Sequence, residues 1–513
     1  MSFTTEQILS QARTIADIPL HRLSYVPSDE EAASIREAAD ELRVIDVQLT
    51  AQIANLLAQQ ATVRKQIAVN DALLAPIRRV PLELLSEIFL LAVPDDWDAA
   101  YAGQRKLGFV CVCHQWRDVA LGTPRLWSKL RFGEYQNWET LSKDVGRLET
   151  ELARTAQAHL DVVFEQRSRR FEIGPAPSWT YSDVWQLLFA QSHRWRSAQF
   201  DLMPLTVYEG IANCSFPALT ALTFSVRGPQ DVATRSPTYA FLHAPNVVRL
   251  SLEFRMPILA FDLPGMWNIV DLTLAINCQV PVAPKAFVDA LRACRSTLRT
   301  CHIAVSHELI DPPICEPAAL LRLEDLYLFR NAIFLCNHIA CPNLKKLRIS
   351  GSHQFGALYT LLDRSAGCKS LRSMTLNNLY GASAQVIASC LRHLPQLTEL
   401  LLVGDDFEEL LSHSFITVDL VRALHRTGGN HATEILPNLS HLAIDLGGWT
   451  DSVIHQRAHC EALFAMLKSR AEPQERDGVN LQPLQSFILG GTGCWPPSME
   501  SLMNVFQNRQ INY

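Results

Sequence analysis

The chain is 513 residues long, more than one ordinary core accommodates, so two or three domains are expected. Hydrophobic residues make up 48% and charged residues only 19%, which excludes a disordered chain. With 46 basic against 52 acidic side chains the formal net charge is −6, so no nucleic-acid partner held by phosphate electrostatics is expected.

The 13 cysteines are odd in number, scattered, and never spaced C-x-x-C. That distribution suits buried free thiols in a reducing compartment rather than a disulfide framework or a zinc ribbon. The opening residues carry no apolar leader, and no run reaches about 18 uninterrupted apolar residues. A cytoplasmic and/or nuclear protein without a membrane partner is expected.

Residues 1–27 read as a polar tail. Residues 28–75 read as one long amphipathic helix, free of glycine and opened by Ser28-Asp-Glu-Glu31, a capping sequence with acids in the first turn. Ile35, Leu42, Leu49, Leu56 and Val63 fall seven apart, with Ala39, Ile45, Ile53 and Ile67 at intermediate seam positions. Gln52, Gln59, Gln60 and Gln66 interrupt the second seam. Self-association through 28–75 as a coiled coil, or packing of this helix on its own neighbouring domain, both fit.

Residues 76–130 carry three short apolar patterns. Pro81 suits a first helical turn, and Leu84, Leu85, Ile88 and Phe89 make a stripe at helical spacing. A second helix is expected over Phe109–Ala120, with Val112, Cys113, Trp116, Val119 and Ala120 on its apolar side, and Thr123-Pro-Arg-Leu-Trp127 closes the unit. So small a core commonly leans on a partner. Val80-Pro81-Leu82-Glu83-Leu84-Leu85-Ser86-Glu87-Ile88-Phe89, Val112-Cys113-His114-Gln115-Trp116-Arg117 and Pro124-Arg125-Leu126-Trp127 together resemble an F-box. Val80 stands where leucine is usual, and the loop from Pro94 to Leu107 is long. The layout, with a heptad-like helix leading into the box, looks like the expanded F-box families of mushroom-forming fungi.

The resemblance implies docking on the Skp adaptor and, through it, on the cullin and RING subunits of a ubiquitin ligase. By the same resemblance Pro81, Leu82, Leu85, Ile88, Phe89, Val112 and Trp116 would supply the adaptor contacts or hold them in place. Contact is favoured for Pro81 and Leu82 at the helix start; for Ile88 and Trp116, core support is as well founded.

Residues 131–194 read as a connecting region and N-terminal cap. From Trp195 to the end the sequence repeats apolar-x-x-apolar-x-apolar, with starts at Leu219, Val247, Ile269, Leu298, Leu323, Leu344, Leu371, Leu397, Leu439 and Leu484. Successive starts lie about 21–29 residues apart until Leu397, the leucine-rich-repeat period. Most copies follow a cue such as Ala244-Pro, Cys341-Pro-Asn, Leu394-Pro-Gln or Leu436-Pro-Asn. In two copies an asparagine, Asn277 or Asn331, completes the motif at the turn leaving the strand. Helices are expected over Pro284–Cys294, Phe355–Ala366 and Ser383–Leu394; the long last intervals, through Ser412–Arg426 and His455–Ala471, make the C-terminal repeats irregular or add extra helices. The fold class expected is therefore an α/β solenoid, a curved parallel sheet with helices outside, preceded by the all-α box and the long helix.

Alternation along each strand sends the positions between the leucines to the open sheet face. The expected column runs Arg249/Ser251, Asp271/Thr273, Thr300/His302, Asp325/Tyr327, Lys346/Arg348, Ser373/Thr375, Glu399/Leu401 and His441/Ala443. His302, Asp325, Tyr327, Lys346 and Arg348 are the candidate contacts for an unknown client protein, an aromatic set among acid and bases.

No metal, cofactor or catalytic constellation is expected. Cys111, Cys113 and His114 would diverge on a helix. Gly103 and Gly108 lack the Lys-Ser/Thr of a phosphate loop, and His307-Glu-Leu-Ile-Asp311 lacks a second histidine. Gly491-Thr-Gly493 opens no βαβ unit, and Arg167-Ser-Arg-Arg170 is a weak basic cluster. The reading is a client-recognition subunit of a Skp–cullin–F-box ubiquitin ligase; a scaffold that binds the adaptor without promoting degradation is the alternative.

Overall fold

The computed structural model describes residues 4–22, 25–93, 108–133, 138–165, 182–201, 208, 210–226, 237–255, 263–277, 284–306, 316–351, 355–379, 382–404, 415–426, 434–445, 453–476 and 479–490. The chain divides into two compact units, Met1–Ile88 and Phe89–Tyr513.

The first unit is helical. Its elements are α1 (Thr5–Ile15), α2 (Ile18–Arg22), α3 (Asp29–Leu74), a 3-10 turn (Pro76–Arg79) and the start of α4 (Leu82–Ala92). The expected tail thus contains two helices. Thr4 and Gln7 form a reciprocal capping box, and Ile8, Ala12 and Ile15 recur at i, i+4 and i+7. Ser28 and Glu31 cap α3 the same way: the Ser28 N–H donates to Glu31 Oε2 at 2.8 Å and Tyr25 Oη–H donates to Oε1 at 2.7 Å. The Tyr25, Ser28 N–H and Ser28 hydroxyl bonds together bring the Glu31 carboxyl down to about 2. α1 packs against α3, where Ala32, Ile35, Ala38, Ala39, Leu42 and Ile45 are half-buried. From Asp46 to Leu74 every residue of α3 is exposed.

The second unit begins inside α4 and continues with a 3-10 turn (Gly108–Cys111), α5 (His114–Leu121) and a second 3-10 turn (Pro124–Trp127). The helix expected over Phe109–Ala120 is therefore shorter. Cys113 is extended (φ −160°) and stands at the N-cap of α5, because the aromatic and β-branched run Phe109-Val-Cys-Val112 is a poor helix former. The Trp127 indole N–H donates to the Ala120 carbonyl at 2.8 Å, tying the closing turn to α5.

Among the described residues a sheet of 13 strands follows, every neighbouring pair parallel. Its strands in spatial order are β1 (Lys129–Gly133), β2 (Leu160–Glu165), β3 (Trp195–Asp201), β4 (Ala221–Val226), β5 (Arg249–Phe254), β6 (Asp271–Ile276), β7 (Thr300–Val305), β9 (Asp325–Arg330), β11 (Lys346–Ser350), β12 (Ser373–Asn377), β13 (Glu399–Val403), β14 (His441–Asp445) and β17 (Ser486–Gly490). Each of the ten expected repeat starts sits two residues ahead of one of these strands. The sheet begins at Lys129, earlier than the expected start at Trp195. β1 carries the apolar pattern as Trp127-x-x-Leu130-x-Phe132 but lies outside the repeat spacing, as does β2, whose lead position is the polar His159. Two short pairs stand apart, β8 (Ala318–Ala319) with β10 (Ile339–Ala340), parallel, and β15 (Gln474–Arg476) with β16 (Val479–Leu481), antiparallel.

The connections carry α6 (Trp138–Arg154), α7 (Ser182–Ala190), α8 (Pro284–Ala293), α9 (Ala357–Arg364), α10 (Ala384–Arg392), α11 (Val418–Ala423) and α12 (Val453–Arg470). Between β9 and β11 a 3-10 segment, Asn331–Asn337, replaces an α-helix. The motif residues form a continuous core: Leu298, Cys301 and Ile303 are buried, as are Leu323, Leu326 and Leu328 and their counterparts along the array. At its N-terminal end this core is aromatic, with Phe164 stacked 5.3 Å from Phe200 and Phe200 5.9 Å from Phe224.

Backbone carbonyls between repeats are met by specific side chains. The Pro-Asn and Pro-Gln cues reach back one repeat: Asn246 Nδ2 donates to the Pro217 carbonyl, Asn343 to Leu321, Asn438 to Pro395, and Gln396 Nε2 to Cys368, at 2.7–2.9 Å. Of the two motif asparagines, Asn331 donates to the Ser306 carbonyl at 3.4 Å, while Asn277 accepts from the Ser306 hydroxyl. Where the spacing is irregular, buried arginines take over. Arg194 donates to the Ala158 carbonyl at 2.7 Å, and Arg470 donates to Leu424, Ile435 and Leu436 at 2.6–3.0 Å. Burial, with Arg426 nearby, pulls Arg470 down to about 9, still above neutrality, so it remains a cationic donor.

Among the described residues no helix is long and apolar enough to cross a membrane.

Candidate functional site

α4 is apolar on more than one side. Leu85 and Phe89, each 1% exposed, are buried, whereas Leu82, Leu84, Ile88 and Leu91 are exposed, Leu82 at 50% and Ile88 at 41%. Pro81 is exposed as well. Buried leucine and phenylalanine one turn apart anchor the helix, and exposed apolar residues at i, i+4 and i+7 give it a second stripe. In the second unit Phe89 stacks on Phe109 with centroids 4.4 Å apart and receives the edge of Trp116 at 5.1 Å. Val112 is 57% exposed and Trp116 is half-buried. Of the seven residues expected to serve adaptor docking, Leu85 and Phe89 are therefore core, Trp116 supports Phe89, and Pro81, Leu82, Ile88 and Val112 stay open.

The expected column on the sheet is present in register. Arg249, Asp271, Thr300, Asp325, Lys346, Ser373, Glu399 and His441 are successive partners, and so are Ser251, Thr273, His302, Tyr327, Arg348, Thr375, Leu401 and Ala443. Its centre is a contact network. Arg348 Nη2 donates to Asp325 Oδ2 at 3.1 Å and Oδ1 at 3.2 Å, and lies 3.4 Å from His302 Nε2. The guanidinium carbon sits 5.4 Å from the Tyr327 ring centroid, and Tyr327 meets His302 edge-on, 5.5 Å between centroids. Arg348 Nε is buried and bonds to nothing among the described residues. Lys346 is exposed. Burial, then the neighbouring Arg348, holds the His302 imidazole below its ordinary value, against the opposing pull of Asp325 and Asp271.

A third row continues this face: Ala304, Phe329, Ser350 and Asn377 are also register partners. Half-buried Phe329 lies 6.5 Å from Tyr327, with Arg330 stacked over it at 5.3 Å. One more step of the strand alternation beyond Tyr327 would have reached it. Arg330 itself has φ +56°, and Gly351 faces it with φ +66°; a Cβ on Gly351 would meet Arg330 Cγ at 3.2 Å in a backbone conformation that L side chains rarely adopt, so a substitution there is strained.

The face offers hydrogen-bond donors, aromatic rings and the exposed cation Lys346 on a parallel sheet. Among the described residues no group of three or more His, Cys, Asp and Glu side chains is placed to hold a metal ion. Gly103, Arg167–Arg170, His307–Asp311 and Gly491–Gly493 lie outside the described residues. No protein-family model matches the chain, and no curated protein does.

Proposed function

We propose that the protein is the client-recognition subunit of a Skp–cullin–F-box ubiquitin ligase, with an F-box over 76–130 docking the Skp adaptor and leucine-rich repeats binding the client. The observation that carries this reading is the apolar surface α4 leaves open: Leu82 and Ile88 are exposed on a helix already anchored by Leu85 and Phe89. A helix whose core face is satisfied has no folding reason to carry large apolar side chains outward. Repeat spacing and strand motif support the leucine-rich-repeat assignment. The protein performs no chemistry of its own in this reading; it holds a client lysine near a charged ubiquitin carrier and raises the effective concentration. His302, Asp325, Tyr327, Lys346 and Arg348 are the proposed client contacts, with Phe329 added to them.

The test is adaptor pull-down with the Pro81→Ala/Leu82→Ala variant of the full chain. Loss of adaptor at an unchanged melting temperature supports the assignment, and undiminished capture refutes it. Co-purification of cullin, and a longer client lifetime on depletion, separate a ligase receptor from a scaffold.

A further inference from the structure

The seam of α3 is a packing surface of which α1 covers only a part. α1 lies against α3, whose half-buried residues end at Ile45. Beyond that point Leu49 is 44% exposed, Ile53 58%, Leu56 63%, Leu57 60%, Val63 57% and Ile67 53%. About eight turns of helix are left carrying large apolar side chains in water.

We propose that this stretch pairs with α3 of a second copy of the chain as an antiparallel two-stranded coiled coil. The seam has two columns: Leu49, Leu56, Val63 and Asn70 in one, and Asp46, Ile53, Gln60, Ile67 and Leu74 in the other. A parallel pair would set Asp46 against Asp46, like charges at a buried layer. Reversing one helix produces a register in which unlike layers match. Asp46 faces Asn70 of the second copy, Leu49 faces its Ile67, and Ile53 faces its Val63. The one mixed layer, Leu56 against Gln60, falls beside the two-fold axis.

The flanking positions agree with the same register. Leu57 meets Leu57 of the second copy, Gln59 meets Gln59, Gln52 meets Gln66, and Arg43 comes opposite Asp71. Charge agrees too. Residues 29–46 hold seven acids and two arginines, whereas residues 47–74 hold Arg64 and Lys65 against the single acid Asp71. In the antiparallel register Asp46 lies beside the uncharged Asn70 and Arg43 beside Asp71 of the second copy, whereas parallel pairing would superpose the acids. Agreement of core, flanks and charge about one axis is self-complementarity, which selects a second copy over a foreign helix.

The test uses the full chain. Sedimentation equilibrium at tens of micromolar is expected to give the mass of two chains, falling to one for Ile53→Asp. Because residue 53 is exposed, that variant is expected to keep the melting temperature of the sheet. Ile53→Cys and Val63→Cys proteins, mixed and oxidised, are expected to yield a 53–63 linked peptide by mass spectrometry, and neither 53–53 nor 63–63. A monomeric wild type, a dimer that survives Ile53→Asp, or a 53–53 linkage would each overturn the proposal. None of these outcomes depends on adaptor binding.

Discussion

Arg348 and Asp325 are tied across adjacent strands, with one guanidinium nitrogen donating to both carboxylate oxygens at 3.1 and 3.2 Å. Arg348 also stacks over Tyr327, so much of its charge is used within the sheet, whereas Lys346 stands exposed. The two cations should therefore respond differently. Arg348→Ala is expected to lower stability by about 1 kcal/mol, from a partly exposed ion pair and a cation–π contact. Lys346→Glu is expected to change stability by less than about 0.5 kcal/mol and to reduce client capture. Urea unfolding of both variants, with capture from the native cell, checks this; equal stability losses would show that Arg348 is not anchored as described.

His302 supplies a pH signature. Its folded-state value is lowered, so the neutral ring belongs to the folded state and the unfolded chain binds the extra proton first. The corresponding stability is fully present above about pH 6.5 and is lost as pH falls through the folded-state value. The difference in urea midpoint between wild type and His302→Asn is expected to shrink from pH 7 to pH 5. A difference that grows on acidification would contradict the sign.

Leu85 and Ile88 are a buried and an exposed apolar residue on one helix. Leu85→Ala should cost about 2–5 kcal/mol, as for a buried leucine, while Ile88→Ala should cost less than about 0.5 kcal/mol. Thermal unfolding measures both, and comparable losses would mean that Ile88 is core.

Asn343 and Asn438 each reach back one repeat to a carbonyl, in separate parts of the array. Removing either by alanine should cost about 0.5–1.5 kcal/mol, and the double variant should show the sum. Chemical denaturation of the three variants decides, and a strongly non-additive double would show that the two sites communicate.

Much of this was legible in the sequence, because the solenoid signal is a repeated spacing and each copy reinforces the others. The order Leu323-x-x-Leu326-x-Leu328 fixes which side chains enter the core and therefore that Asp325 and Tyr327 do not. β1 and β2 were illegible because a strand without its neighbours' frame looks like any short apolar run. The break at Cys113 was missed because apolar spacing at Val112, Trp116 and Val119 suits a helix whether or not its first turn forms. The bond from Arg348 to Asp325 was likewise beyond reach: the register makes them neighbours, but only side-chain rotamers decide whether two half-buried charges meet.

The strand order has a mechanical consequence. Each interior strand touches only the one before and the one after, so cohesion passes along the sheet link by link, and no contact spans from Phe200 to Phe487. A lesion near either terminus should therefore loosen a few links and leave the rest intact. Damage at Leu326 or Leu347 would sever the array through the strands that carry Tyr327 and Arg348. Vulnerability is greatest at the middle of the array, and fraying from the ends is the mildest failure open to such a chain.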